Sequence, residues 1–328
     1  MAKVENQAIL SIRALPPIET RPSSPMQRTS FPNSSRKYWW SFWLAAELTL
    51  VASPALALIN GQFDDEDRYG AVVALWNEGE RRCSATKIGP YTFLSAAHCV
   101  VDVARGDLSS PFQPGDTLQI SARSESRPSD TQAVVVANTE LPPAFTEGLQ
   151  RLYDYQQSLI EAYRARYSGE DLARRIRRVQ ADSRITDRFP DVALVNVVTP
   201  TPAIPRLPVS LASLPSEAEV ILVGYGCERV SDWRRSDWHD RPARRLWGHS
   251  QVIRVDAVNF YTFGSERRAG SATLCPGDSG GPVLFDGRVV GVHGTVWGLS
   301  HRDTARSNMS VNLHALSDWE AWKRLDSF

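Results

Sequence analysis

The chain has 328 residues, with 37 basic and 37 acidic side chains, 42% hydrophobic and 9% aromatic residues. This composition is globular and excludes a collagen-like, coiled-coil or fully disordered chain. Residues 1–57 hold six Lys/Arg against three Asp/Glu, so the remainder is slightly acidic, which argues against a nucleic-acid binder working by general phosphate attraction.

Residues 1–37 are rich in Pro, Ser and Arg, lack a periodic apolar face and read as unstructured. Arg36 and Lys37 then precede an apolar run from Tyr38 to Ala57, broken by Glu47 and by Ser53 and Pro54, and ending in Ala55, Leu56 and Ala57. A positive flank, an apolar stretch and small residues at the end have the layout of a secretory signal, and a start at Met26 instead of Met1 gives it a more ordinary length. The alternative is an uncleaved anchor over residues 38–57, since about 20 apolar residues span a bilayer. Either way the rest of the chain, residues 58–328, is expected outside the cytoplasm, secreted or periplasmic.

From Leu58 onward short β-branched and apolar runs, bounded by Gly, Pro, Asp or Ser, read as strands: Ala71–Trp76, Thr117–Ile120, Ala133–Val136, Val192–Val198, Val220–Val223, Gln251–Val255 and Arg288–His293. An all-β barrel or sandwich follows. Between them Leu149, Leu152, Leu159, Ile160, Tyr163 and Tyr167 fall near helical spacing, and Leu172, Ile176 and Val179 begin a second helical face after Ser168 and Gly169. A helical insertion over about residues 145–188 is therefore expected. Ser317 with Glu320 three residues on has the form of a capping box and predicts a short C-terminal helix. No internal repeat or Gly-rich phosphate loop is present.

Cys83, Cys99, Cys227 and Cys275 form no C-x-x-C pair and read either as buried thiols or as up to two disulfides. Three segments carry chemistry. C-P-G-D-S-G-G-P, Cys275 to Pro282, presents one hydroxyl, Ser279, in a turn whose glycines let the amides of Gly277 and Ser279 point together at a developing oxyanion. L-S-A-A-H-C places His98 at the end of an apolar strand, and D-V-A-L-V places Asp191 ahead of a buried strand, able to hold a neutral imidazole in one tautomer. Asp182 and Asp187 are rival carboxylates, but neither is followed by an apolar strand.

Together the order His, Asp, Ser and the words A-A-H-C, D-V-A-L and G-D-S-G-G-P resemble the trypsin-like serine peptidases of the chymotrypsin fold, and the C-P-G-D-S form resembles bacterial secreted members. The resemblance runs from Leu58 to about Arg324, with the insertion outside it. It implies two six-stranded antiparallel β-barrels with the helical insertion and C-terminal helix appended. It also implies a serine endopeptidase acting on protein or peptide substrates without a cofactor or metal. His98 would be the general base, Asp191 its orienting carboxylate, Ser279 the nucleophile, and the Gly277 and Ser279 amides the oxyanion hole. A Cys83–Cys99 bridge would staple the histidine loop, with Ser84, Ala85 and Thr86 as the small-residue strand, and Cys227 would pair with Cys275. Cleavage after Ala57 would free Leu58 to pair with Asp278, as the family's new amino terminus does.

Counting along the resemblance places Thr273 at the base of a specificity pocket, suiting a neutral or small substrate side chain. Gly294 stands where the family offers a serine hydroxyl to the carboxylate, with Thr295 as a substitute and His293 as a core or wall residue. Arg174, Arg175, Arg177 and Arg178, and Arg241, Arg244 and Arg245, read as solvated faces or as an exosite for acidic partner surfaces. The alternative to an enzyme is a binding protein on the same fold that uses the insertion to hold a protein partner. Nucleic acid is not an expected partner, and a membrane is one only if the signal segment stays. An esterase of the α/β-hydrolase type fails, because G-D-S-G-G leads into Pro282 and a strand rather than a helix.

Overall fold

The computed structural model describes residues 58–181, 185, 188–233, 235, 238, 241–264, 270–297 and 306–325. The signal and anchor readings of residues 1–57, the rival carboxylates Asp182 and Asp187, and most of the loop before Arg306 lie outside the described residues.

Six strands form the first barrel: β1 (Val72–Asn77), β2 (Glu80–Lys87), β3 (Thr92–Ser95), β4 (Thr117–Ser121), β5 (Gln132–Glu140) and β6 (Ala193–Val197). The second comprises β7 (Glu219–Gly224), β8 (Leu246–Val255), β9 (Asn259–Gly264), β10 (Pro282–Phe285), β11 (Arg288–Trp297) and β12 (Arg306–Asn312). The ring order is β3-β2-β1-β4-β5-β6 in one and β9-β8-β7-β10-β11-β12 in the other, each closed on itself. Numbered within each barrel, the two orders are identical, so the topology repeats where the sequence shows no repeat. Closure leaves no open edge in either ring.

The strands read as continuous apolar runs because both of their faces are buried. Val73 and Leu75 of β1, Phe93 of β3 and Ala193, Val195 and Val197 of β6 fill the first barrel. The alternate residues Val72, Ala74 and Trp76, Leu94, and Leu194 turn the other way, onto Val223, Tyr225, Leu284, Val292 and Val311 of the second half. Period-two alternation thus divides each strand between a barrel interior and a shared core joining the barrels. Fully burying a Leu or Phe stabilises by about 1.5–3 kcal/mol.

One buried cation completes the junction. Arg245, fully inaccessible, bonds Asp64 at 2.7 Å, pairs with Asp67, and donates to the carbonyls of Val72 at 3.1 Å and Ala122 at 2.7 Å. The Tyr225 hydroxyl donates to Arg123 O at 2.8 Å and lies 3.1 Å from the same guanidinium. The reading of Arg245 as part of a solvated or exosite face is corrected: its guanidinium is a core element satisfied by both halves, while Arg244 and Arg241 remain partly exposed.

The insertion between β5 and β6 is two helices, α1 (Pro143–Arg164) and α2 (Gly169–Gln180). Phe145 and Leu149 anchor α1 in the first barrel's core, whereas α2 contributes no buried residue. The expected C-terminal helix is a 3-10 segment, Glu320–Arg324, capped by Trp319. Ser317 instead closes the preceding turn, because Trp319 and Trp322 pack edge to face at 5.3 Å and Trp322 Nε1 takes the Leu316 carbonyl.

Replacing the cation tests the junction. Arg245→Met leaves Asp64 buried beside two amides without its counter-charge, and is expected to cost about 3 kcal/mol or more of unfolding free energy in urea titration. A change below about 1 kcal/mol contradicts this account.

Candidate active site

His98 stands on a 3-10 turn, Ala97–Cys99, directly after β3. Ala97 is buried, and Cys99 is bonded to Cys83 of β2, so the turn is tied to the barrel on both sides of the imidazole. Asp191, wholly buried at the entrance to β6, receives the His98 amide on Oδ1 at 2.8 Å and contacts the imidazole Nδ1 through Oδ2 at 2.6 Å. Those two bonds fix the position and the plane of the ring. About a quarter of the His98 side chain remains exposed, and it faces the cleft.

Burial opposes a charge on His98, but the adjacent Asp191 carboxylate outweighs it by Coulomb attraction and its hydrogen bond, so the imidazole pKa is raised above its ordinary value. A raised pKa means that the pair contributes stability fully present below the unfolded imidazole pKa of about 6.5 and lost as pH rises through the folded value. His293 behaves oppositely. Fully buried, with Nε2 3.2 Å from the Val223 carbonyl, it is pushed down to about 3 by desolvation, so it is a neutral core residue.

Ser279 comes from the second half, in the turn that leads into β10. Gly277 and Gly280 take φ of +99° and +83°, values that strain any residue with a Cβ, and a Cβ on Gly280 would strike the Ser84 carbonyl. Asp278 points inward, wholly buried, and accepts the amides of Gly226 at 2.6 Å and Cys275 at 2.8 Å. The Cys227–Cys275 disulfide fastens the start of the same turn. Among the described residues, the Gly277 and Ser279 amides donate to no acceptor. The Ser279 hydroxyl makes one long bond, 3.4 Å to the Gly294 carbonyl, and does not have His98 as a partner in this structure.

Sequence reasoning missed the residue that joins the halves. Ser84, buried on β2, donates its amide to Ser279 O at 2.8 Å and its hydroxyl to Gly277 O at 2.9 Å, and accepts the Tyr225 amide at 3.0 Å. The family resemblance marks Ser84 only as part of a small-residue strand after Cys83, and a small buried serine has no signature of its own for this bridging role.

His98, Gly277 and Ser279 line one open cleft of about 450 Å³, together with Pro276, the Cys83–Cys99 bridge and Phe112. Thr273 does not line it; it is wholly buried, its amide bonded to the Ile59 carbonyl. Leu58 is wholly buried as well, among Ala272, Leu274 and Leu246. Gly294 lies beside the carboxylate, where a Cβ would sit 3.5 Å from Asp191 Oδ2, and Thr295 makes no hydrogen bond to Asp191. Cys83, His98 and Cys99 gather three potential metal-binding atoms, but both sulfurs are spent in the disulfide, so the group does not fit a metal.

The cause of the His98 shift can be separated by NMR titration. The wild-type ring is expected to titrate above the ordinary imidazole value. In Asp191→Asn only desolvation remains, so the pKa should fall below that value; an unchanged pKa contradicts the assignment.

Comparison with known proteins agrees with this architecture. The trypsin family model matches residues 149–319, just over half of the chain, taking in Asp191 and Ser279 but not His98. A trypsin from Phaedon cochleariae is 28% identical over 146 residues, 41% of this chain and 55% of that protein, so the match spans about half of its length. Among solved structures, human heparin binding protein aligns with a TM-score of 0.51 at 14% identity, covering 80% of this chain and 94% of that one. Neuropsin, a serine protease from mouse brain, aligns at 0.50 and 14%, covering 80% and 98%. Identities this low speak for the fold alone, but with the family match the conclusion is plain: the chain belongs to the trypsin family.

Proposed function

We propose that the chain is a serine endopeptidase in which His98, Asp191 and Ser279 act as one unit. The observation that carries the reading is the cleft: a hydroxyl, an imidazole clamped by a buried carboxylate and two undonated amides converge on one opening. Ser279 Oγ attacks the substrate carbonyl while His98 Nε2 takes its proton, and Asp191 stabilises the imidazolium through Nδ1. The developing oxyanion accepts from the Gly277 and Ser279 amides, which cost no reorganisation because the turn already holds them. His98 then returns the proton to the leaving amine, and water hydrolyses the acyl-enzyme by the same route. The Ser279 hydroxyl, held only by a long bond to Gly294 O, stays available to His98 for a bond of the kind that tightens when substrate binds. That long bond to Gly294 is the one observation favouring the alternative, a binding protein without hydrolysis.

The substrate is a protein or peptide; a preference for a neutral or small side chain rests on Thr273 carrying no charge, since its buried side chain does not line the cleft. Two disulfides suit an oxidising compartment, secreted or periplasmic, and no helix among the described residues is long and apolar enough to cross a membrane. Residues 1–57 are read as an extension and signal removed on export, leaving residues 58–328 as the peptidase domain.

Kinetics on a peptide ester test the reading. Ser279→Ala and His98→Ala are each expected to lower kcat by roughly 10⁴ or more, while circular dichroism stays native, because members of such a unit fail together. Activity within tenfold of wild type in Ser279→Ala overturns it.

Maturation follows from the same reading. Cleavage after Ala57 gives Leu58 an ammonium group that pairs with Asp278 and orders the oxyanion turn. In the uncleaved chain Leu58 is held at φ +45°, a strained value for a side-chain-bearing residue, and a free terminus has no φ to strain. N-terminal sequencing of exported, active protein should begin at Leu58, and Asp278→Asn should lower activity at least tenfold. An active species that retains residues before Ala57 contradicts this step.

A further inference from the structure

The insertion carries two grooves that the proposed chemistry does not use. One, of about 310 Å³, lies between α1 and the segment returning to β6, lined by Arg151, Leu152 and Tyr155 against Ile185, Arg188 and Phe189. Gly148 makes it possible, since a Cβ there would stand 2.6 Å from the Phe189 ring. The second, of about 210 Å³, lies between the helices, lined by Leu159 and Tyr163 against Arg175, Arg178 and Val179. Tyr155 borders both and is more than half exposed, so the grooves run in series.

Their chemistry is consistent. The floors are apolar, the rims carry four guanidinium groups, and no carboxylate lines either groove among the described residues. Among the described residues Arg178 and Arg188 form no ion pair, and Arg151 reaches Glu147 only at 3.9 Å between two largely exposed groups, a contact of little worth, whereas Arg175 is already paired with Asp171 at 3.2 Å. Helix α2 buries nothing in the barrel core; it is held to α1 by Gln156 Nε2 on the Val179 carbonyl at 3.0 Å and by Arg175 over the Tyr163 ring at 5.6 Å.

We propose that the insertion is a docking site for an extended acidic peptide segment of a partner protein, bearing apolar side chains between its carboxylates. Planar guanidinium groups match carboxylates in pairs, and the Leu, Ile, Val and aromatic floor rewards apolar side chains that a sulfated polysaccharide lacks. Helix α1 reaches the loop that follows His98. Tyr153 of α1 packs within 2.9 Å of where a Gly106 Cβ would stand, in the loop after His98, and Phe145 and Leu149 share one core with the cleft residue Phe112. If the chain is a peptidase, a docked substrate is thereby held at high effective concentration beside the cleft; the docking itself does not depend on hydrolysis.

Fluorescence anisotropy on the full chain carrying Ser279→Ala, with a fluorescein-labelled peptide alternating Glu with Leu and Phe, measures docking without turnover. Arg151→Glu with Arg188→Glu is expected to weaken binding at least tenfold, and Tyr155→Ala at least threefold. Arg254→Glu, an exposed charge on the second barrel, should leave it within twofold. Should the double variant fail to fold, Tyr155→Ala carries the comparison. Three results overturn the proposal: no binding, equal loss in Arg254→Glu, or heparin or poly-glutamate binding as tightly as the peptide, which would make the site a polyanion surface.

Discussion

The hydrogen bonds through Ser84 are the constraint on which the site depends. His98 and Asp191 belong to the first barrel and Ser279 to the second, so no local turn can set their separation. Ser84 spans that gap with its amide on Ser279 O and its hydroxyl on Gly277 O, and the Tyr225 amide closes the loop by donating back to it. A larger side chain at Ser84 would push the turn through Gly277 and Ser279 off the first barrel. Gly280 is required for the same reason, because it passes against the Ser84 carbonyl.

Around this clamp, buried charge is distributed so that each group has its partners. Asp191 is met by the amide and the ring of one histidine, Asp278 by two loop amides, and Arg245 by Asp64, Asp67 and carbonyls from the first barrel. In a low-dielectric interior an isolated carboxylate or guanidinium would be costly, so these groups hold the loops that satisfy them in place. The price of that order falls on the sequence, which must keep small residues wherever a loop closes on a charge. His293 shows the contrary case: buried without a carboxylate, it stays neutral and leaves His98 as the imidazole able to exchange a proton in the cleft.

Much of this was legible before the structure, and the limits have physical causes. Strands were visible as apolar runs, and Asp191 was preferred over Asp182 and Asp187 because a buried strand follows it, as β6 does. The insertion showed itself in helical spacing: Leu149 and Ile160 are buried as that spacing requires, while Leu152, Tyr163 and Tyr167 are partly covered. Both disulfides form as the family resemblance implied. Arg245 was not legible, since its partner Asp64 is 181 residues away and the arginines near it in sequence, Arg241 and Arg244, are only partly covered. Ser317 and Glu320 have the capping spacing, yet the packing of Trp319 and Trp322 decided the last turns. Thr273 was placed by counting along the family resemblance, which gives no burial: its side chain is wholly buried, and the open cleft lies by Pro276 and the Cys83–Cys99 bridge.

The central claim is that Ser279 is a nucleophile made reactive by His98. An active-site-directed fluorophosphonate reacts with such a hydroxyl and not with an ordinary serine, so intact-mass and peptide-mapping measurements on the reacted chain test it most directly. One adduct per chain, on Ser279, and none in His98→Ala is the result the account predicts. A correctly folded chain that takes up no label, or takes it up equally without His98, would contradict it.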